Sequence, residues 1–128
     1  MEKKRILLID DEENFTKLVK SNLEGTGRYE VKAENSGSRG LTAARDFKPD
    51  LILLDVMMPE IDGGEVCYQL ENDEKTMNIP VVFLTAAVDS REVEKNRGII
   101  GGRSFIAKPV SLEKLVDFIE KNIRGRVS

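Results

Sequence analysis

The chain has 128 residues, a length typical of one compact domain, and its 40% apolar and 34% charged residues exclude an intrinsically disordered protein. The 20 basic and 23 acidic residues give a net charge of −3, so no basic stripe favours nucleic acid, and no apolar run is long enough to cross a membrane. The single cysteine, Cys67, excludes an internal disulfide, and the absence of histidine excludes His-based catalysis. We therefore expect one cytoplasmic domain over residues 1–128.

Short apolar runs alternate along the chain with longer segments whose apolar residues have helical spacing. The runs predict buried strands and the periodic segments predict helices, with turn residues such as Gly25, Gly27 and Pro49 between them. The predicted elements, in chain order, are strand Ile6–Ile9, helix Phe15–Leu23, strand Tyr29–Ala33, helix Gly40–Phe47, strand Leu51–Leu54, helix Asp62–Leu70, strand Pro80–Leu84, helix Asp89–Arg97, strand Arg103–Ala107 and helix Leu112–Ile123.

The strands predict a parallel sheet, because strands that are apolar on both faces are typical of a sheet covered by helices on each side. Right-handed crossovers then lead to an open, doubly wound α/β fold with five strands and five helices. The helix that begins at Asp62 has a capping pair with Glu65, and Cys67 lies on its inward face. The helix 89–97 is the weakest of the five, since Val93 is its only large apolar residue.

Polar side chains follow four of the predicted strands, at the point where each strand ends. These residues are Asp10, Asp11, Asp55, Thr85 and Lys108. Because the carboxyl ends of parallel strands meet at one edge of a sheet, we expect three acids, one hydroxyl and one cation to converge on a crevice there.

The converging acids favour a metal and phosphoryl chemistry. Three crowded carboxylates repel each other, so without a cation at least one of their pKa values rises. Oxygen ligands favour a hard divalent ion, and Mg²⁺ suits a site that keeps room for waters and phosphate. Asp55 is the candidate nucleophile because it ends the most apolar strand. Lys108 and Thr85 could then stabilise the phosphoryl oxygens, and the small Ala86 leaves room for the group.

Four segments of the chain resemble the signatures of receiver domains from response regulators of two-component signalling, the family of the chemotaxis receivers. The segments are Ile6–Glu12, Leu53–Gly63, Leu84–Ala86 and Phe105–Pro109. Their order and spacing agree with the family, and the resemblance covers the chain from Arg5 to Ile123. It implies a flavodoxin-like sheet with the strand order 2-1-3-4-5.

The resemblance also implies a role for each residue of the site. Asp55 would be the phosphoacceptor, and Lys108 would pair with the phosphoryl group. Asp11 and Asp55 would bind Mg²⁺ directly, together with the backbone carbonyl of Met57. Asp10 would act on the metal through water. Mg²⁺ is thus the implied cofactor.

A switch and its partners are implied in the same way. Thr85 would sense the phosphoryl group, Phe105 would change its rotamer in response, and Pro109 would follow a cis peptide bond. The face formed by the predicted helix 89–97, the strand of Phe105 and the last helix would signal to an output domain, a partner or a second copy of the chain. A histidine kinase or a phosphotransfer protein would supply the phosphoryl group. The chain would catalyse only its own phosphorylation and dephosphorylation, not act as an enzyme on other substrates.

Two other functions stay open at this point. A phosphatase with an aspartate nucleophile would use the same Asp and Mg²⁺, but such enzymes usually carry an acid two residues further on, where this chain has Met57. A receiver-like binding module that never uses phosphate would normally lack an acid, the Lys or the Thr, and none is lacking. The segment Gly102–Ser104 departs from the family, where a small residue and two acids are frequent, so the output partner stays undetermined.

Overall fold

The computed structural model describes residues 2–86, 99–100, 103–108 and 110–124. These ranges contain six strands, four α-helices and a 3₁₀ helix at Gly37–Arg39. The strands are β1 (Lys4–Ile9), β2 (Tyr29–Glu34), β3 (Leu51–Asp55), β4 (Val81–Thr85), β5 (Ile99–Ile100) and β6 (Arg103–Ala107). The helices are α1 (Glu13–Gly25), α2 (Gly40–Phe47), α3 (Gly63–Glu71) and α4 (Leu112–Arg124).

All six strands belong to one sheet, in the order β2-β1-β3-β4-β6-β5. The five longer strands are parallel to one another, so the predicted doubly wound sheet with the order 2-1-3-4-5 is confirmed, with β6 as the fifth predicted strand. The two-residue strand β5 pairs antiparallel with β6 at the edge of the sheet. It was not predicted, because two residues are too few to show a periodic pattern.

Strand β3 lies inside the sheet, between β1 and β4, and all five of its residues are buried. Leu51 and Leu53 point to the core beneath α1 and α4, whereas Ile52 and Leu54 point to the core beneath α2 and α3. Because helices cover both faces, apolar residues fit at Leu51–Leu54, and only the last residue, Asp55, is polar. This is why β3 is visible in the sequence as a continuous apolar run.

The observed element boundaries lie within two residues of the predicted ones wherever both exist. The predicted helix 89–97 lies outside the described residues. Cys67 is buried on α3, as predicted, and Asp62 caps that helix by accepting a hydrogen bond from the Glu65 N–H at 2.9 Å. No helix within the described ranges is long and apolar enough to cross a bilayer.

At the amino edge of the sheet, three side chains hold Glu120 of α4. The Tyr29 O–H donates a hydrogen bond to Glu120 Oε2, and Tyr29 itself is fully buried. Lys4 Nζ lies 3.2 Å from Glu120 Oε1, and an Arg28 nitrogen lies 3.4 Å from Oε2. These contacts fasten α4 to the starts of β1 and β2, far from the strand ends where Asp10 and Asp55 lie.

The segment after β3 returns closely to the sheet at Gly63, the first residue of α3. The Gly63 N–H donates to the Val56 carbonyl at 2.8 Å. A Cβ atom on Gly63 would overlap the Asp55 carbonyl oxygen and would lie 2.7 Å from Val56 Cα. Glycine is therefore required at this position so that α3 can pack directly on the backbone of Asp55.

Gly63→Ala is expected to lower the free energy of unfolding by about 1–3 kcal/mol, the usual cost of overpacking a tight site. The added methyl group would meet backbone atoms, which cannot rotate away as a side chain can. Gly25→Ala is the matched control, because a Cβ atom there meets nothing within 4 Å. Urea unfolding followed by circular dichroism measures both variants, and equal stability of the two would contradict the close packing.

Candidate functional site

Four parallel strands end side by side at the carboxyl edge of the sheet. Asp10 and Asp11 follow β1, Asp55 ends β3, Thr85 ends β4, and Lys108 follows β6. The ends are level because of the pairing register, which joins Ile9 to Leu54, Asp55 to Leu84 and Thr85 to Ala107. The fold therefore brings the five residues singled out in the sequence to one edge of the sheet.

The three acids at this edge lie close enough to share one ion. A carboxylate oxygen from each of Asp10, Asp11 and Asp55 lies within 4.8 Å of the other two. Asp10 is fully buried and Asp55 is 2% exposed. The Met57 N–H donates to Asp55 Oδ1 at 3.3 Å, which places the Met57 backbone beside the acids, while its side chain is 65% exposed. This all-oxygen donor set fits Mg²⁺ better than a softer metal.

The pKa of Asp55 is raised to about 6. Burial is the largest cause, the negative charge of Asp10 comes next, and Asp11 adds a smaller effect. Lys108 and the Met57 N–H lower the pKa of Asp55 but do not cancel the other effects. One crowded carboxyl thus has a raised pKa, as expected, although burial contributes more than charge repulsion. Asp55 is still mostly ionised at neutral pH, as a nucleophile must be.

Lys108 is the cation of this site, and its side chain is only 10% exposed. Its Nζ donates to Asp10 Oδ2 at 2.6 Å and to Glu12 Oε1 at 2.9 Å, and lies 3.8 Å from Asp55 Oδ2. Burial lowers the pKa of Lys108, but hydrogen bonds to Asp10 and Glu12 raise it above its ordinary value. The Nζ atom also lies 4.3 Å from the centre of the Phe15 ring. A charged amine is therefore fixed beside the buried acids.

The position of Asp10 depends on residues that the sequence did not single out. The Asn35 side chain donates to the Asp10 carbonyl at 2.9 Å and to Thr16 Oγ1 at 3.0 Å. Asp10 Oδ1 in turn accepts the Glu12 N–H at 3.0 Å. Asn35 contacts Asp10 only because β1 and β2 pair in a particular register, so no local motif could have revealed it.

The remaining predicted residues lie around this cluster. Thr85 is the last residue of β4, and the exposed Ala86 follows it. Phe105 on β6 is half-buried and stacks on Phe83 of β4, with the ring centres 5.1 Å apart. Pro109 lies outside the described residues. The proposed switch residues thus lie on β4 and β6, which are neighbours in the sheet.

Comparisons with known sequences agree with this geometry. The family model of the response regulator receiver domain matches residues 6–120. The DNA-binding dual master transcriptional regulator RpaA of Synechocystis is 38% identical over 121 residues, which are 94% of this chain and 49% of that protein. The polar-differentiation response regulator DivK of Brucella ovis is 36% identical over 118 residues, 91% of this chain and 94% of that one.

The chain therefore belongs to the response regulator receiver domain family, and it spans about half the length of RpaA. A response regulator receiver domain protein (CheY-like) from Methanospirillum hungatei JF-1 matches with a TM-score of 0.80, over 98% of this chain and 97% of that one. Its identity is 23%, so this likeness shows the fold alone. The chain is a receiver domain of two-component signalling, and such domains are generally signalling modules rather than classical enzymes.

Asp55→Asn is expected to stabilise the Mg²⁺-free protein at neutral pH. Because the pKa of Asp55 is higher in the folded than in the unfolded chain, protonated Asp55 stabilises the fold below about pH 4, and this contribution is lost as the pH rises through about 6. The free energy of unfolding of Asp55→Asn should therefore rise relative to that of wild type between about pH 4 and pH 6, until the difference reaches about 1–3 kcal/mol.

Urea unfolding in EDTA at a series of pH values measures this difference. Asp46→Asn is the control, because Asp46 is an exposed acid on α2. A stability difference between wild type and Asp55→Asn that does not change with pH would contradict the raised pKa of Asp55.

Proposed function

We propose that Asp55 accepts a phosphoryl group from the phosphohistidine of a histidine kinase or a phosphotransfer protein, in a Mg²⁺-dependent reaction. One observation carries this proposal: the buried carboxylate of Asp55 lies beside two further acids and a fixed amine. Membership of the receiver family supports the same chemistry.

In the proposed reaction, an oxygen of the Asp55 carboxylate attacks phosphorus while the bond from phosphorus to the imidazole nitrogen breaks. The electron pair of the broken bond leaves with the imidazole, and Asp55 becomes an acyl phosphate. Such a transfer needs positioning and charge neutralisation more than covalent assistance. Burial keeps water away from the Asp55 carboxylate, and the Met57 N–H orients one of its oxygens.

The metal would be held by Asp11, Asp55 and the Met57 carbonyl, with Asp10 acting through water. The bound ion would neutralise part of the charge on the phosphoryl oxygens. Lys108 lies 3.8 Å from Asp55 Oδ2, so a small movement would bring its amine to a phosphoryl oxygen. The chain would thereby assist only the formation and hydrolysis of its own acyl phosphate.

The signal would pass from Thr85 to Phe105. Phe105 of β6 pairs in register with Phe83 of β4 and stacks on it. Phe83 precedes Thr85 by two residues on β4. A movement of Thr85 toward the phosphoryl group would leave space for the Phe105 ring to turn. The face formed by the predicted helix 89–97, β6 and α4 would then bind an output domain, another partner or a second copy of the chain.

The proposed setting is cytoplasmic, since a chain with a single cysteine cannot form an internal disulfide, which fits a reducing compartment. We assign neither nucleic acid nor membrane as a partner of this domain, whose net charge is −3. RpaA is named as a DNA-binding regulator, but this chain covers only 49% of that protein, so DNA binding is not transferred to it.

Incubation with a small phosphodonor and Mg²⁺ should add one phosphoryl group to the wild-type chain and none to Asp55→Asn. The asparagine is nearly isosteric but cannot form an acyl phosphate. Asp46→Asn, the exposed acid on α2, should be labelled like wild type. Intact-mass measurement distinguishes these results. Label that survives in Asp55→Asn, or that resists mild base, would point to a Ser or Thr and against the proposal.

Asp11→Ala should weaken Mg²⁺ binding by at least about tenfold, because it removes one of three clustered carboxylates. The chain contains no tryptophan, so the titration is best followed by amide chemical shifts rather than by intrinsic fluorescence. Asp46→Ala removes the same charge from a remote exposed position and should leave the affinity unchanged. Equal Mg²⁺ affinity in the Asp11 and Asp46 variants would remove Asp11 from the metal site.

A further inference from the structure

Lys108 is held by an acid that the proposed reaction does not use. Its Nζ donates to Asp10 and Glu12 at 2.6 and 2.9 Å, and the separation from Asp55 is longer, at 3.8 Å. A lysine ammonium group has three N–H donors, so two of them are taken before a phosphoryl group arrives. A phosphoryl oxygen on Asp55 must therefore share Lys108 with these acids or replace one of them.

Glu12 is placed for this contact by the start of α1. Its N–H donates to Asp10 Oδ1, and its carbonyl accepts the Thr16 N–H at 3.0 Å, so its backbone is fixed. It occupies the N-cap position, yet its side chain makes no capping hydrogen bond. Short side chains such as Ser and Asp are preferred there because they reach back to the helix N–H groups. The longer side chain of Glu12 extends to Lys108 instead.

The two acids that hold Lys108 differ in their contact with water. The Asp10 side chain is fully buried, whereas the Glu12 side chain is 63% exposed. Separating Lys108 from Asp10 would leave a buried charge unpaired, which is strongly unfavourable. Separating it from Glu12 returns an exposed carboxylate to water at little cost. Glu12 is therefore the partner that an incoming phosphoryl oxygen can replace.

We propose that Glu12 is a positioning residue that restrains Lys108 in the unphosphorylated domain, and that the phosphoryl group on Asp55 displaces it. The inference rests on the proposed function of Asp55. Before phosphorylation, Glu12 holds the amine away from Asp55. After phosphorylation, Lys108 keeps Asp10 and exchanges Glu12 for a phosphoryl oxygen. Glu12 thus opposes binding of the phosphoryl group and sets how readily the site changes state.

The affinity for beryllofluoride, an analogue of the phosphoryl group, tests this inference at saturating Mg²⁺. Glu12→Gln should bind beryllofluoride about two- to fivefold more tightly than wild type, the range that corresponds to an exposed ion pair. Glu13→Gln is the matched control, because Glu13 is also exposed and its loss changes the net charge equally at the neighbouring position. The difference between the two variants reports the contact with Lys108 and not the general effect of charge.

The ¹⁵N resonance of the Lys108 ammonium group supplies a second readout in the resting protein. It should shift in Glu12→Gln and stay in place in Glu13→Gln. If wild type binds beryllofluoride while the two variants show equal affinities and equal Lys108 resonances, Glu12 does not position Lys108, although the proposed function stands. If wild type itself does not bind beryllofluoride, the proposed function fails and the inference fails with it.

Discussion

The burial of two carboxylates, Asp10 and Asp55, beside one amine is the constraint on which the site depends. A buried charge is tolerated only when an opposite charge or a metal compensates it. Lys108 supplies that compensation among the described residues, and its distance of 2.6 Å from Asp10 and 3.8 Å from Asp55 shows that it does so unequally. The raised pKa of Asp55 is the result, since its burial is only partly offset.

The sheet order makes this arrangement possible. The strands that carry Asp10 and Asp55 are direct neighbours, and β4 separates β3 from the strand that leads to Lys108. The long side chain of Lys108 can extend past the end of β4 to these acids, whereas a shorter basic side chain could not reach them. Gly63 serves the same arrangement from the other side, because α3 packs on the backbone of Asp55 and holds that carboxylate at the edge of the sheet.

The sequence was sufficient to predict the sheet and the position of its polar residues, for a simple physical reason. A strand such as β3, buried on both faces, is apolar from Leu51 to Leu54, so its end is marked by the first polar residue, Asp55. In a parallel sheet all such ends lie at one edge. The convergence of Asp10, Asp55 and Lys108 therefore follows from topology alone.

The partners of individual side chains could not be predicted in this way. The contacts from Lys108 to Glu12 and Phe15 join residues that are far apart in the chain, and they depend on rotamers that no local pattern specifies. Leu18 illustrates a second limit. It shares the apolar spacing of α1 but is 60% exposed, because it lies about 140° around the helix from Leu23, which is at the centre of the buried stripe.

The attachment of Glu120 to Tyr29, Lys4 and Arg28 has a mechanical consequence for α4. The helix starts at Leu112, near the carboxyl edge of the sheet, and about 12 Å of it precedes Glu120 while about 6 Å follows. With Glu120 as a fulcrum, a sideways displacement of the first turn would tilt the helix as a lever. The last turn would then move in the opposite direction and about half as far. One tilt of α4 would therefore displace surfaces at both edges of the sheet, in opposite directions.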